Sequence, residues 1–393
     1  MSEAPVAGPL AGVVVLDLSR ALAGPHATMM MADLGARVIK VEAPGIGDDT
    51  RGWGPPFVGP EGSRESTYFL SANRGKESIC LDLKEPADFG VLKDLMVRAD
   101  AVVENFRPGV MERLGLGTAS LHAINPRLII LSISGFGHDG PEGGRAGYDQ
   151  IVQGEAGLMS VTGTDAEHPM KSGVPIADLL AGMYGAYGVV AALYERNRTG
   201  LGRIVSTSLL AAVVGVHAFQ GTRWTVAGEV PLPAGNHHAA IAPYGLFNCE
   251  DGAIQLAVGS ERQWDRLADA LGIDPKRPEF CSNELRVQHR QLLIETLESI
   301  FSTRTSADVL DMLDEFGIPS GKIRTIDQVF EWDQVRSQGL LLEMEHQSLG
   351  PISLPGPPLR FDGGFLRPTM APPALDQHGA DVRAWLADGG DRS

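Results

Sequence analysis

Short apolar runs and longer helical stretches alternate through the first 150 residues. Gly12–Leu18 (GVVVLDL) reads as a fully buried strand. A loop follows, Ser19-Arg20-Ala21-Leu22-Ala23-Gly24-Pro25, and then a helix from His26 to Leu34 closed by Gly35. Arg37–Glu42 is a second strand, so the unit is βαβ, with parallel strands and a right-handed crossover. Ser78–Leu83, Ala101–Glu104 and Leu128–Ser134 read as further strands, with a helix at Pro86–Arg98. The alternation predicts a doubly wound, Rossmann-like parallel sheet, an α/β fold.

One stretch organises the rest. Leu179–Tyr194 carries no charge and no proline. As a helix it shows a stripe of small residues (Ala181, Gly185, Gly188, Ala192) and two larger apolar stripes, through Tyr184, Tyr187 and Tyr194 and through Met183 and Val190. A helix apolar on all sides is expected to be buried, with the small stripe admitting another backbone. At ~18 residues and roughly 1.5 Å per residue it also meets the length of a membrane span. It stands alone, so a core helix and no membrane partner are expected. Asp178 stands just before the run, as an N-cap would. A carboxylate there is expected to be held ionised by the helix dipole and its donors, as an acyl-accepting nucleophile requires.

Beyond Ser208 the pattern changes. A helix through Phe219 gives way to a linker with Pro231 and Pro233. Strands at Tyr244–Asn248 and Ala253–Val258 flank Glu250-Asp251-Gly252, and three helices follow, which predicts a smaller α+β domain. The proline- and glycine-rich stretch 340–370 reads as a return linker before a terminal helix, Leu375–Leu386. The expected organisation is a large domain of residues 1–220 and 345–393, a small domain of 235–335, and linkers at 221–234 and 336–344.

Composition narrows the partners. Net charge is −16 over 393 residues, which disfavours a nucleic-acid surface and requires any polyanion to meet a local basic pocket. Cys80, Cys249 and Cys281 are far apart and form no CxxC pair, so neither a disulfide frame nor a metal site is expected. MSEAPVAGPLAG has no basic n-region, and a cytoplasmic location follows by default. The first βα loop has one glycine where a dinucleotide fingerprint needs three, which argues against NAD. The long loop 43–77 carries Arg51, Trp53, Arg64, Arg74 and Lys76, and Asn105-Phe106-Arg107-Pro108-Gly109 is a strand-end loop where ligands of open sheets sit.

The motifs VLDLSRALAGPHAT, DLGARVIKVE, NRGKESICLDLK, ENFRPGVMERLGLG, SISGFGHDGP, GYDQIVQGEAGLMSVTG, GVPIADLLAG and RTGLGRIVSTSLL together resemble the class III CoA-transferases nearly end to end. GDDTRGWGPPFVG, ESTYFLSANRGK and GLLLEMEHQSLGPISLPGP are most similar to the succinate–hydroxymethylglutarate (glutarate) branch, implying dicarboxylate substrates. The resemblance implies that Asp178, in VPIAD, is the nucleophile of a ping-pong transfer through an anhydride and an aspartyl-CoA thioester. It also implies an interlocked homodimer, CoA as substrate, and no tightly bound cofactor. Ala21 and Leu22 would face the nucleotide through their backbone. Lys76 and Arg113 would meet phosphates, Asn105 and Phe106 the adenine or pantetheine edge, and Tyr148 the acyl thioester. The formyl-transferring branch has basic residues where this chain has Ala43 and Ala146, which leaves Arg74 and Arg145 as stand-ins. Arg51 and Arg20 are candidates for an acceptor's distal carboxylate, and His238 is a further substrate candidate. The main alternative is the racemase branch of the same fold, which carries GHD where this chain has Gly147-Tyr148-Asp149; tyrosine is a poor α-proton base, which argues against it. A non-catalytic acyl-CoA-binding protein and CoA transfer within one diacid are the others.

Overall fold

The computed structural model describes residues 8–62, 64–366 and 368–389. Met1–Ala7, part of the stretch read for a leader, lies outside them. The first strand, β1 (Val14–Asp17), is buried at every position. It leads through α1 (Ala23–Asp33) to β2 (Arg37–Glu42). There follow β3 (Lys76–Cys80), α2 (Pro86–Arg98), β4 (Ala101–Glu104), α3 (Thr118–Ile124) and β5 (Ile129–Ser134). Then come α4 (Asp149–Glu155), α5 (Ile176–Thr199), β6 (Ile204–Ser208) and α6 (Leu209–Gly215).

The six strands form one sheet in the order β3-β2-β1-β4-β5-β6, and every pair is parallel. Strand order reverses between β1 and β4, so the crevice at their carboxyl ends is where a ligand is expected. Alternate residues face opposite ways. Val15, Val38, Val103 and Leu131 pack under α1 and α5, whereas Leu16, Ile39, Val102 and Ile130 pack under α2 and α3. The doubly wound sheet read from the sequence is present.

Helix α5 departs from its expected form at three points. It begins at Ile176 rather than Leu179, and it continues to Thr199, where Gly200 caps it in the left-handed conformation. Arg196 extends it by turning inward, with Nη2 2.9 Å from Asp100. Its small residues divide their work. Gly185 and Gly188 accommodate the side chains of Leu131 and Val205, while the backbone approach comes at Gly182, outside the expected stripe. A Cβ at Gly182 would stand 2.6 Å from the Ala23 carbonyl oxygen of α1. Nor is the helix buried all round: Met183, Tyr184, Tyr187, Val190 and Tyr194 form an exposed apolar face. The helix is long and apolar enough to cross a membrane. Its packed face nevertheless lies against α1 and the sheet and carries the Arg196–Asp100 ion pair.

The described chain divides into two compact units. One takes the residues up to Leu158, Ser172–Gly228 and those from Asp333; the other takes Met159–Lys171 and Glu229–Trp332. Residues 159–171, expected in the large domain, pack in the second unit, where the Gly235 nitrogen donates to the Gly163 carbonyl. That unit has a three-stranded antiparallel sheet (Ser320–Lys322, Gly252–Ala257, Tyr244–Cys249) around Phe247, Ile254, Trp264, Leu297 and Phe301. The expected linkers are partly built. Ala218–Thr225 is helical, and Leu341–His346 pairs antiparallel with Gly350–Pro355, burying Met344 and Leu354 against Leu70.

Candidate active site

Asp178 is the third residue of α5, not the residue before it. Pro175 occupies the N-cap position and supplies no side-chain acceptor. The acceptor comes from α4. Asp149 Oδ1 lies 2.7 Å from the Ala177 nitrogen and 3.2 Å from the Asp178 nitrogen, so both N–H groups donate to it. Asp149 Oδ2 accepts from Gln153 Nε2 at 2.6 Å, and Gln153 Oε1 accepts from the Ser172 nitrogen at 2.8 Å. Donors that would hold a carboxylate ionised are therefore taken by Asp149. Burial, and after it the charge of Asp149, push the Asp178 carboxyl up to about 7. The expectation that the dipole holds Asp178 firmly ionised is corrected by this arrangement.

Tyr68 faces the same two carboxylates. It lies in the short helix Thr67–Ser71, capped by Ser66, whose Oγ accepts from the Tyr68 nitrogen at 3.1 Å. Its ring meets Trp53 edge-on at 5.1 Å. Burial, then the charges of Asp178, Asp149 and Asp48, push the phenol up to about 12, so at neutral pH it is a hydroxyl donor. His26 of α1 borders Gly182, and burial with the nearby Arg74 and Lys76 cations pushes it down to about 4. It is neutral at physiological pH.

A cleft of about 600 Å³ opens at the carboxyl ends of β1–β4, where the strand order reverses. Ser19 and Arg20 line one part of it, in a loop, Ser19-Arg20-Ala21, that is gripped residue by residue. Lys40 Nζ donates to the Ser19 carbonyl at 2.9 Å. Asn105 accepts from the Arg20 nitrogen at 2.8 Å and donates to the Arg20 carbonyl at 2.7 Å. The Ala21 nitrogen donates to Asp48 Oδ1 at 3.2 Å, and Asp48 pairs with Lys40 at 2.8 Å. Ala21 needs these anchors because its φ is +63°, a left-handed conformation costing an alanine about 1–2 kcal/mol. The Ala21 N–H is thus not free for a nucleotide, and Leu22 is buried at the N-cap of α1. The Arg20 guanidinium sits 5.5 Å from the Phe106 ring centre. Arg20, Phe106, Arg107 and Lys84 line the cleft, and Arg113 is exposed on the turn whose Val110 and Leu114 also line it.

Other expected cations are spent inside the fold. Lys76 is fully buried, 2.9 Å from Asp17 Oδ2 and 2.8 Å from both the Asn73 oxygen and the Pro25 carbonyl. Burial outweighs those partners and pushes its ammonium down to about 8. Arg74 makes a two-pronged pair with Asp33 at 2.9 and 2.6 Å and donates to the Pro355 carbonyl. Arg51 does the same with Glu42 at 2.8 and 2.7 Å, lies over Phe69, and donates to the Pro373 carbonyl. None of the three is available to a phosphate or an acceptor carboxylate, which corrects those expectations. Arg145 is at the surface, held by Glu155 at 2.6 Å and Glu142 at 3.2 Å over the Phe136 ring. Tyr148 is 69% exposed just before α4. His238 belongs to the second unit and stacks on Tyr244 at 5.1 Å. Among the described residues no three His, Cys, Asp or Glu side chains could hold a metal, and the cysteines are free.

The model of CoA-transferase family III matches residues 10–379. The chain belongs to that family. This CoA-transferase is 40% identical to the succinyl-CoA:glutarate CoA-transferase of Mus musculus over 373 residues, covering 94% of this chain and 84% of the mouse protein. It is also 40% identical over 395 residues to the succinate–glutarate CoA-transferase of Agrobacterium fabrum, covering 96% of each chain. Its fold superposes on the crystal structure of a CaiB/BaiF family protein from Brucella suis with a TM-score of 0.86, at 40% identity over 96% of this chain and 99% of that one.

Sequence reasoning about this CoA-transferase missed Asp149, Tyr68, Lys40 and Asp48. Asp149 follows the singled-out Tyr148, yet its partner nitrogen lies 29 residues away in sequence, and no local pattern reports that bond. Arg107 was readable: it sits in the same strand-end loop as Asn105 and Phe106.

Proposed function

We propose that this family III CoA-transferase moves CoA from a dicarboxylyl-CoA, succinyl-CoA by analogy with its relatives, to a dicarboxylate acceptor. The observation that carries the proposal is the Asp178 carboxyl. It stands in the first turn of the central helix, with its helix donors diverted to Asp149 and its carboxyl raised to about 7. A carboxylate so placed is a stronger base, and hence a stronger nucleophile, than one held by a cap. One Asp178 oxygen attacks the donor thioester carbon. The C–S bond breaks, and the CoA thiolate leaves with the electron pair, forming a mixed anhydride. The thiolate attacks the aspartyl carbonyl, the anhydride C–O bond breaks, and the donor acid departs as carboxylate. The acceptor carboxylate reverses both steps, so one thioester replaces another and no ATP is consumed. No cofactor beyond the CoA of the substrates enters. The Tyr68 hydroxyl is suited to donate to the oxygen that gains charge during attack.

The CoA body fits the cleft between Arg20 and Phe106, with Arg107 and Arg113 in place of Lys76 and Arg74 for its phosphates. The working form is a homodimer, in which a second copy covers the exposed face of Met183, Tyr184, Tyr187, Val190 and Tyr194.

Intact mass spectrometry after incubation with succinyl-CoA tests the reading. The expected result is a gain of one CoA less one water, removed by hydroxylamine and absent in Asp178→Ala. Native spectra of the same sample are expected to show two chains. Normal turnover in Asp178→Ala would end the nucleophile assignment, and transfer without a separate acceptor would make the enzyme intramolecular.

A further inference from the structure

We propose that Asp149 is a positioning residue that keeps Asp178 nucleophilic, by occupying the helix N-terminal donors that would otherwise quench it and by presenting a second negative charge beside it. The inference rests on Asp178 being the nucleophile and adds a role for a residue on another helix. Its basis is geometric. A carboxylate in the first turn of a helix ordinarily accepts from free N–H groups and becomes a weaker base. Here the N-cap residue is Pro175, which has no acceptor side chain, so Ala177 and Asp178 would leave donors pointing at whatever anion lies nearest. Asp149 Oδ1 takes both, at 2.7 and 3.2 Å. It is fixed in that pose by Gln153, itself fully buried and anchored to the Ser172 nitrogen. Three segments, α4, the chain at Ser172 and the start of α5, are thus locked to one carboxylate.

The consequence is a division of labour between two acids. Asp149 is spent on the backbone, while Asp178 keeps its lone pairs for an acyl carbon. The groups facing Asp178 are Asp149 from α4 and the neutral Tyr68 hydroxyl from the segment before β3. His26 of α1, which borders Gly182 one turn further along α5, is also neutral at physiological pH. No cation among the groups that shift Asp178 offsets the Asp149 charge.

The test is the pH dependence of adduct formation in single turnover, compared between wild type and Asp149→Asn. The asparagine oxygen can still accept from the Ala177 and Asp178 nitrogens, while the charge and the bond from Gln153 Nε2 are lost. Asp178 then ionises more readily and is a poorer nucleophile. The acid limb is expected to move down by about one pH unit, and the plateau rate to fall roughly threefold. Asp149→Glu, which restores charge at a longer reach, is expected to move the limb back. A merely structural Asp149 would change the melting temperature and leave the limb in place, and that result overturns the proposal. Peptide mapping of the wild-type adduct separates the two readings. An adduct on another residue defeats the nucleophile assignment, whereas an adduct on Asp178 with an unmoved limb defeats only the role of Asp149. If Asp149→Asn fails to fold, Gln153→Ala releases the same carboxylate without removing it. It is then expected to scatter the pose and slow adduct formation at every pH, and an unchanged rate would count against the clamp.

Discussion

Two sets of charges lie close together in the large unit, and they are built in opposite ways. Beneath the first loop, Asp17 is fully buried with Lys76 at 2.9 Å, Lys40 at 3.8 Å and the hydroxyls of Ser19 and Thr28 as donors. Burial alone would raise its carboxyl, but the two lysines and those hydrogen bonds hold it well below the usual range. At the start of α5, Asp178 is buried with a second carboxylate beside it and, among the described residues, no cation to offset either effect, and its carboxyl rises to about 7. The same side chain is structural in one place and, in the function proposed above, the nucleophile in the other. What differs is whether the fold has supplied the donors and counter-charges. The arginines follow the same rule: Arg51 and Arg74 are tied up within the fold, while Arg107 and Arg113 have no carboxylate partner among the described residues.

The largest way to break the comparison is to remove one side of the paired set. Lys76→Met leaves Asp17 buried with Lys40 more distant, and is expected to cost about 3–5 kcal/mol of stability in urea unfolding. If Lys76 were instead a phosphate ligand, stability would stay near wild type and only the KM for acyl-CoA would rise.

An effect of opposite sign and comparable size is expected at the unpaired carboxyl. The native state raises Asp178 to about 7 from an ordinary value near 3.8, so it binds a proton more tightly than the unfolded chain does. Its contribution to stability is full below the unfolded value and is lost as pH rises through 7. Asp178→Asn does not titrate. It is expected to exceed wild type by about 4 kcal/mol at pH 8, with the difference closing towards pH 4. Parallel stability curves across that range would mean that Asp178 is not held unpaired.

How much of this was legible in the sequence follows from the same physics. The sheet was legible because buried parallel strands are continuous apolar runs, as in Gly12–Leu18, separated by helices with recognisable ends. Asp178 was legible because it precedes an uncharged run. Its environment was not, because the acceptor for its helix comes from Asp149 on another element. Arg51, Arg74 and Lys76 misled for a related reason. A basic residue in a loop reads as available, and only the three-dimensional neighbourhood reveals Glu42, Asp33 and Asp17 waiting for it. The all-apolar helix misled too, since one face of α5 is left exposed among the described residues.

The finest test of the comparison concerns the cations left over. Arg107 lines the cleft, and Arg113 stands one helical turn beyond it, both exposed. An unpaired surface arginine pays no desolvation penalty in the free enzyme, and a phosphate gives it a bidentate, charge-assisted partner. Its worth stays modest because water and salt screen it. Arg107→Ala and Arg113→Ala are therefore each expected to raise the KM for acyl-CoA roughly three- to tenfold, with kcat unchanged and a weaker salt dependence. Because the two side chains are exposed and separate, the double variant is expected to be close to multiplicative. A fall in kcat instead would mean that these arginines organise Asp178 rather than anchor CoA, and the line between paired structural charges and unpaired functional ones would have to be redrawn through the cleft itself.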